Sequence, residues 1–218
     1  MTIYLVRHGD PDYKNDTITQ KGHMEAGAVS KRLAAIGIDK IYTSPMGRAR
    51  ATMQYTADLL NMQHGVEEWA QEISNFGIEY EKWGYLAAWN TPGEVIFSHK
   101  PFPTVDNWFN APYLDKLPAR DTYEYIVKGS DEFFARHGYS REGGLYRIVK
   151  PNKDKIVLFA HGGFGLTWLA HLLNIPVPVM WCGFNLPTTS VTTIVFEEHS
   201  DEWASPRCLG IGDISHLQ

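Results

Sequence analysis

The sequence predicts an α/β protein: a three-layer sandwich with a mainly parallel central sheet flanked by helices, plus an irregular cap insertion. Three observations lead there. Short apolar, β-branched runs alternate with stretches of helical period, as in a sheet covered on both faces. The 218 residues suffice for one substantial core, with about 70 % of the unfolded surface buried. The stretch from Trp69 to Tyr113 breaks the alternation with 11 aromatic residues in 45, about twice the frequency of the whole chain.

Ile3 to Val6 reads as a fully buried strand. Lys21 to Ile36 repeats apolar residues at helical period, with Thr19 placed as N-cap and Gly37 as the stop. Lys40 to Thr43 is a second strand and Met46 to Leu60 a second helix. Residues 72–120, rich in aromatics and carrying Pro92, Pro101, Pro103 and Pro112, form the expected insertion over the sheet, within one domain spanning 1–218. Its aromatics are read mainly as a satellite core fixing the cap, with one or two lining a crevice. Contacts of Tyr113 or Trp108 with a second copy are a weaker alternative. Thr122 to His137 is a helix despite Gly129. Ile156 to Ala160 (IVLFA) is the clearest buried strand, followed by Gly162-Gly163, a helix from Phe164 to Leu173, and a strand from Val191 to Phe196.

Composition narrows the function. The net charge of −5 gives no global reason to expect nucleic acid or an anionic membrane as partner. Cys182 and Cys208 are too few for a disulfide framework and lack metal-ligand spacing, which fits a reducing compartment. The N-terminus shows no signal-peptide pattern and no apolar run reaches membrane-spanning length, so a cytoplasmic protein is expected. Nothing sets an oligomeric state, and neither a metal nor a cofactor is expected.

Three strands end in chemistry-bearing residues. The first runs into Arg7-His8-Gly9, the second into Ser44-Pro45-Met46-Gly47-Arg48, and the IVLFA strand into His161-Gly162-Gly163. Ligands of open α/β sheets bind outside the carboxyl ends of the strands. One crevice therefore collects two arginines, two histidines, glycine backbone and a helix N-terminus, a set that selects phosphate-like anions. Each piece alone is weak, since Arg48 on a helix is ordinarily a solvated charge and His-Gly-Gly an ordinary turn. Their conjunction, in order and each at a strand end, carries the reading.

These segments resemble the histidine phosphatase superfamily, the phosphoglycerate mutase-like family. VRHGD at 6–10 is similar to its signature, ITQKGHMEA at 18–26 to its Thr-x-x-Gly helix start, and YTSPMGRARATM at 42–53 to its Ser-Pro-x-x-Arg-Ala segment. FAHGGFGLTWLAHLLNIP at 159–176 resembles the second-histidine block, Asp121-Thr122-Tyr123 a helix opening, and residues 212–217 a common tail. The resemblance implies a phosphoglycerate mutase-like fold and metal-independent hydrolysis of a small phosphorylated metabolite. His8 is the implied nucleophile, with Arg7, Arg48, His161 and Gly162 holding the phosphoryl oxygens. One nitrogen of His8 must stay free, so the other is expected to donate to a backbone carbonyl near Gly9.

Glu72, in Trp69-Ala70-Gln71-Glu72, matches the family's proton donor, although four residues rather than three separate it from Gly77. Glu67 and Glu68 are fallbacks, and Glu79 or Glu81 further alternatives. Burial is expected to raise the pKa of the donor. Only ten residues separate His8 from Thr19, without the arginine segment of the mutases, which favours hydrolysis. A cofactor-dependent phosphoglycerate mutase is the alternative, and a non-catalytic phospho-ligand binding protein on the same fold a third. Arg50 is expected in a structural or surface role, the remaining histidines in packing or surface roles, and His99, in the insertion, as the one candidate among them to face the pocket.

Overall fold

The computed structural model describes residues 1–218. β1 (Thr2–Arg7) leads through a small ribbon, β2 (Pro11–Asp12) and β3 (Thr17–Ile18), into α1 (Gln20–Ile36). β4 (Lys40–Thr43), α2 (Gly47–Leu60) and β5 (His64–Val66) follow. Residues 77–98 hold a hairpin, β6 (Gly77–Tyr80) and β7 (Gly84–Ala87), then a short helix, α3 (Gly93–Ser98). α4 (Ala119–Arg136) precedes the hairpin β8 (Tyr139–Glu142) and β9 (Leu145–Ile148). β10 (Lys155–Ala160), α5 (Gly162–Leu173), α6 (Val177–Gly183), β11 (Val191–Glu198) and β12 (Trp203–Asp213) complete the chain. No helix is long and apolar enough to cross a membrane.

The main sheet has eight strands in the order β5-β4-β10-β1-β11-β12-β9-β8. β5, β4, β10 and β1 run parallel, while β11, β12, β9 and β8 join antiparallel, so the sheet is mixed. The parallel half contains the strands with continuous apolar runs. The antiparallel half is more polar (YSRE in β8) or interrupted by Pro206 and Gly210 in β12, and its period-two signal is correspondingly faint. Arg7 pairs with Ala160, and Phe159 with Thr43, so adjacent parallel strands end level with one another. That register delivers His8, Ser44 and His161 to the same edge.

Alternation along the strands divides the core into two faces. Ile156 and Leu158 of β10, with Ile3 and Leu5 of β1, join a 33-residue cluster that includes Ile126 and Phe133 of α4 and Trp168 of α5. Val157, Phe159 and Val6 point oppositely, against Val29 and Leu33 of α1 and Met53 of α2. Helices on both faces complete three layers.

Local chemistry fixes the elements around the site. Thr19 Oγ1 caps α1 by accepting from the Gly22 N–H at 3.2 Å, and Gly37 ends the helix at φ 78°; such a cap contributes about 1 kcal/mol. A Cβ on Gly22 would fall 2.5 Å from the Asp10 carbonyl oxygen, so glycine lets α1 press against the loop after His8. Gly129, unfavourable inside α4, is explained by Trp69: a Cβ there would lie 2.2 Å from the indole side chain. Trp69 also packs against Phe164 and Trp168, which anchors the segment leading to Glu72. Beyond Glu72, Phe76, Trp108 and Leu114 join the larger core cluster, with Trp108 edge-on to Tyr123 and Trp181.

Candidate active site

β1 carries His8 to the sheet edge, where its backbone N–H donates to the Ala160 carbonyl at 2.9 Å. Its ring is 1 % exposed and lies 5.2 Å from the His161 ring. Nδ1 sits 2.8 Å from the Gly9 carbonyl oxygen. A carbonyl only accepts, so Nδ1 carries the proton and Nε2 keeps the lone pair, as the sequence led us to expect. Burial lowers the His8 pKa to about 4, opposed by the Gly9 hydrogen bond and reinforced by Arg7 and Arg48. Burial, with Arg48, His8 and Arg7 nearby, likewise holds His161 well below the usual histidine range. Burial thus favours the neutral form of both rings.

Arg7 and Arg48 are each anchored through one terminal nitrogen. Arg7 Nη1 donates to the Leu186 carbonyl at 2.6 Å, and Arg48 Nη1 to Asp16 Oδ1 at 2.8 Å. His161 is tied through Nε2 to Ser44 Oγ at 2.8 Å. Arg7 Nε, Arg48 Nε and His161 Nδ1 are buried with no protein partner, three of only eight such side-chain atoms in the molecule. Gly162 lies beside the Arg7 guanidinium, 3.4 Å from Cζ to where a Cβ would stand. Arg7, His8, Arg48, His161 and Gly162 thus come together.

Glu72 lies within electrostatic reach of Arg48 and lines a neighbouring cavity with Trp69, Thr122 and Tyr125. Its carboxylate accepts from Phe164 N–H at 2.7 Å, Gly163 N–H at 3.2 Å and its own neighbour Ile73 N–H at 3.1 Å. Burial raises its pKa, against the lowering effect of these hydrogen bonds and of Arg48. The other acids are placed elsewhere. Glu67 is buried in a pair with Arg136 and accepts from the Trp69 indole at 2.7 Å, while Glu68, Glu79 and Glu81 are exposed. Arg50 is exposed, and His99 lines a separate small cavity with Pro101 and Asn107.

Three supporting residues escape sequence reasoning. Asp16, at φ 46°, accepts from the Gly47 N–H at 2.7 Å as well as from Arg48. Thr52 accepts from the Gly9 N–H at 2.9 Å and donates to the Arg48 carbonyl at 2.8 Å, linking the two motifs. Ser44 orients His161. Thr52, one helical turn after Arg48, had a readable spacing; Asp16 had none. No group of three or more His, Cys, Asp or Glu is placed to hold a metal ion. A cleft of about 550 Å³ opens beside Arg7 and Gly162, walled by Trp89, Trp181 and Phe184.

Residues 3–90 match the family model described as histidine phosphatase superfamily (branch 1). The match takes in the segments that carry Arg7, His8, Arg48 and Glu72. The chain is 24 % identical over 204 residues to a putative phosphoserine phosphatase 2 of Hydrogenobacter thermophilus, covering 89 % of each chain. A 2,3-bisphosphoglycerate-dependent phosphoglycerate mutase of Brucella ovis is 38 % identical over 77 residues, 30 % of this chain and 37 % of that one. In fold, the chain is similar to a phosphoserine phosphatase mutant from Entamoeba histolytica in complex with phosphoserine, with TM-score 0.66 and 18 % identity over 100 % of this chain and 99 % of the other.

Proposed function

We propose that this protein is a member of the histidine phosphatase superfamily that hydrolyses small phosphomonoesters through a phosphohistidine on His8. The observation that carries this reading is the trio of buried, unpartnered nitrogens on Arg7, Arg48 and His161, gathered around a histidine whose Nε2 holds a free lone pair. A buried N–H without an acceptor costs about 1–3 kcal/mol, and a phosphoryl group supplies acceptors to all three.

In the first step His8 Nε2 forms a bond to phosphorus while the phosphorus–oxygen bond to the alcohol breaks. Glu72, whose acid form burial favours, gives its proton to the departing oxygen. In the second, the Glu72 carboxylate takes a proton from water as the water oxygen bonds to phosphorus and the N–P bond breaks. Inorganic phosphate leaves, and both groups return to their starting states. Arg7, Arg48, His161 and the Gly162 backbone hold the equatorial oxygens, and positioned charge supplies most of the acceleration.

Transfer to water rather than to a second phosphoester follows from the charge around the cleft. Arg7 is its one charged lining residue, so nothing there retains a doubly anionic acceptor. Residues 72–120 act in this reading as a cap over that cleft.

The test is phosphate release from p-nitrophenyl phosphate, with an alkaline quench to preserve phosphohistidine. Wild-type protein turns over and carries alkali-stable phosphate, and His8→Ala does neither. Turnover by His8→Ala at the wild-type rate would overturn the reading, as would efficient phosphoglycerate interconversion with little phosphate release.

A further inference from the structure

Resting on that phosphatase reading, we infer that the substrate's leaving group is an uncharged alcohol carrying a ring, not a small carboxylic acid. The argument concerns the part of the cleft beyond the phosphate-holding residues. Its volume of about 550 Å³ exceeds what a three-carbon acid fills, and it lies within the range of pockets for larger small molecules, about 300–1,000 Å³.

The walls are neutral. Tyr13, Trp89, Trp181 and Phe184 present aromatic surface, and Asn90 and Asn185 add uncharged amides. Arg7 is the sole charged residue of the lining, and its Nη1 is already committed to Leu186. A carboxylate or ammonium placed here would lose its hydration without meeting an opposite charge, which is strongly disfavoured. Carboxylates are ordinarily read by a guanidinium fork or an ammonium, and no second one reaches this cleft. A ring, by contrast, gains edge or face contacts with the aromatic walls.

Rigidity supports this assignment. Trp181 is 3 % exposed and its indole N–H donates to Thr167 Oγ1 at 2.9 Å, so its ring is held in place. Trp89 is wedged over Gly163, where a Cβ would lie 2.5 Å from the indole. Trp181 is thus a fixed wall, whereas Trp89 is only partly buried and Phe184, 40 % exposed, is adjustable at the rim.

The experiment compares kcat/KM for 2-phenylethyl phosphate, ethyl phosphate, phosphoserine and 3-phosphoglycerate, all esters of primary alcohols. We expect 2-phenylethyl phosphate to exceed each of the others by at least about tenfold, the worth of two aromatic contacts. Equal or faster hydrolysis of phosphoserine or 3-phosphoglycerate overturns the inference and leaves the phosphatase reading standing. If none of the four, nor p-nitrophenyl phosphate, releases phosphate, the underlying reading fails and the inference with it. Phe184→Lys, on an exposed side chain, brings a cation to the rim. It is expected to narrow the ratio of 2-phenylethyl phosphate to phosphoserine by about tenfold or more at an unchanged thermal midpoint. An unchanged ratio overturns the placement of the leaving group in this cleft.

Discussion

Glu72 Oε1 accepts the backbone N–H of Phe164 at 2.7 Å, across 92 positions of chain. The residue proposed to move a proton is therefore also the N-terminal cap of α5, whose own N-cap, His161, makes no side-chain cap bond. The two duties pull in opposite directions. N–H donors and the positive end of the helix favour the carboxylate, and burial favours the neutral acid. Burial wins, and the raised pKa follows.

Replacement of Glu72 by Gln keeps an oxygen for the helix N–H groups but removes the proton. For an alkyl phosphate, kcat is expected to fall by about 10²–10⁴-fold, the usual worth of general acid catalysis. The loss shrinks for p-nitrophenyl phosphate, whose leaving group needs little protonation. In wild type, kcat/KM for the alkyl ester falls as pH rises through the raised Glu72 pKa, because the acid form is consumed. Glu72→Gln lacks that limb, and a pH profile of both proteins on both esters checks it.

His8 makes the complementary pH prediction on stability. Its folded pKa of about 4 is below the unfolded value near 6.5, so the folded state disfavours the proton. The contribution is fully present above 6.5 and is lost as pH falls toward 4, amounting to about 3 kcal/mol. Denaturant unfolding at pH 7 and pH 4 should therefore show a smaller acid loss in His8→Asn than in wild type, by about that amount. Glu72 runs the other way: with its pKa raised, its contribution is present below the ordinary carboxylate range and lost as pH rises through the raised value.

The legible part of the molecule is the part built from contiguous apolar runs and their immediate ends. β1, β4 and β10 stand within one residue of their sequence boundaries, and Thr19, Gly37 and the Gly9 carbonyl do what local chemistry assigned them. Of the antiparallel half β11 was legible as the strand from Val191 to Phe196, whereas β8 and β9, partly exposed, carry charges in place of apolar repeats. Among five acids, Glu67 is buried and Glu72 half-buried, but an ion pair with Arg136 occupies Glu67, and no local pattern encodes a partner 69 positions away. Asp16 was invisible for the same reason: its meaning comes from Arg48 and Gly47, reached through a left-handed turn.

Asp16 offers a test of charge balance at the residues proposed to hold phosphate. Burial works to raise its pKa, but the Gly47 N–H and the Arg48 guanidinium overcome that and hold the carboxyl below the ordinary range. Asp16→Asn preserves an acceptor for Gly47 while removing a negative charge beside Arg48. Inorganic phosphate should inhibit about three- to tenfold more tightly at low salt, the scale of one partly screened charge at this separation. The gain should fade in about 1 M salt. Weaker inhibition would mean that Asp16 serves chiefly to orient Arg48.

Gly163 ties Trp89 to the start of α5. An ideal Cβ there would stand 2.5 Å from the Trp89 ring, so Gly163→Ala must push the indole outward or shift the start of α5. Overpacking of this kind costs about 1–3 kcal/mol. Either response disturbs the site, because the Gly163 N–H donates to Glu72 and Trp89 walls the cleft. The two responses are separable. Displacement of Trp89 alone raises KM for a ring-bearing ester with little change in kcat, whereas displacement of the α5 terminus lowers kcat on every ester. The KM-dominated result is expected, since the α5 terminus is held by two hydrogen bonds to Glu72 and the Trp89 ring is only partly buried. The accompanying double variant Gly163→Ala/Trp89→Ala removes the clash, so it should regain the stability lost in Gly163→Ala while keeping the raised KM.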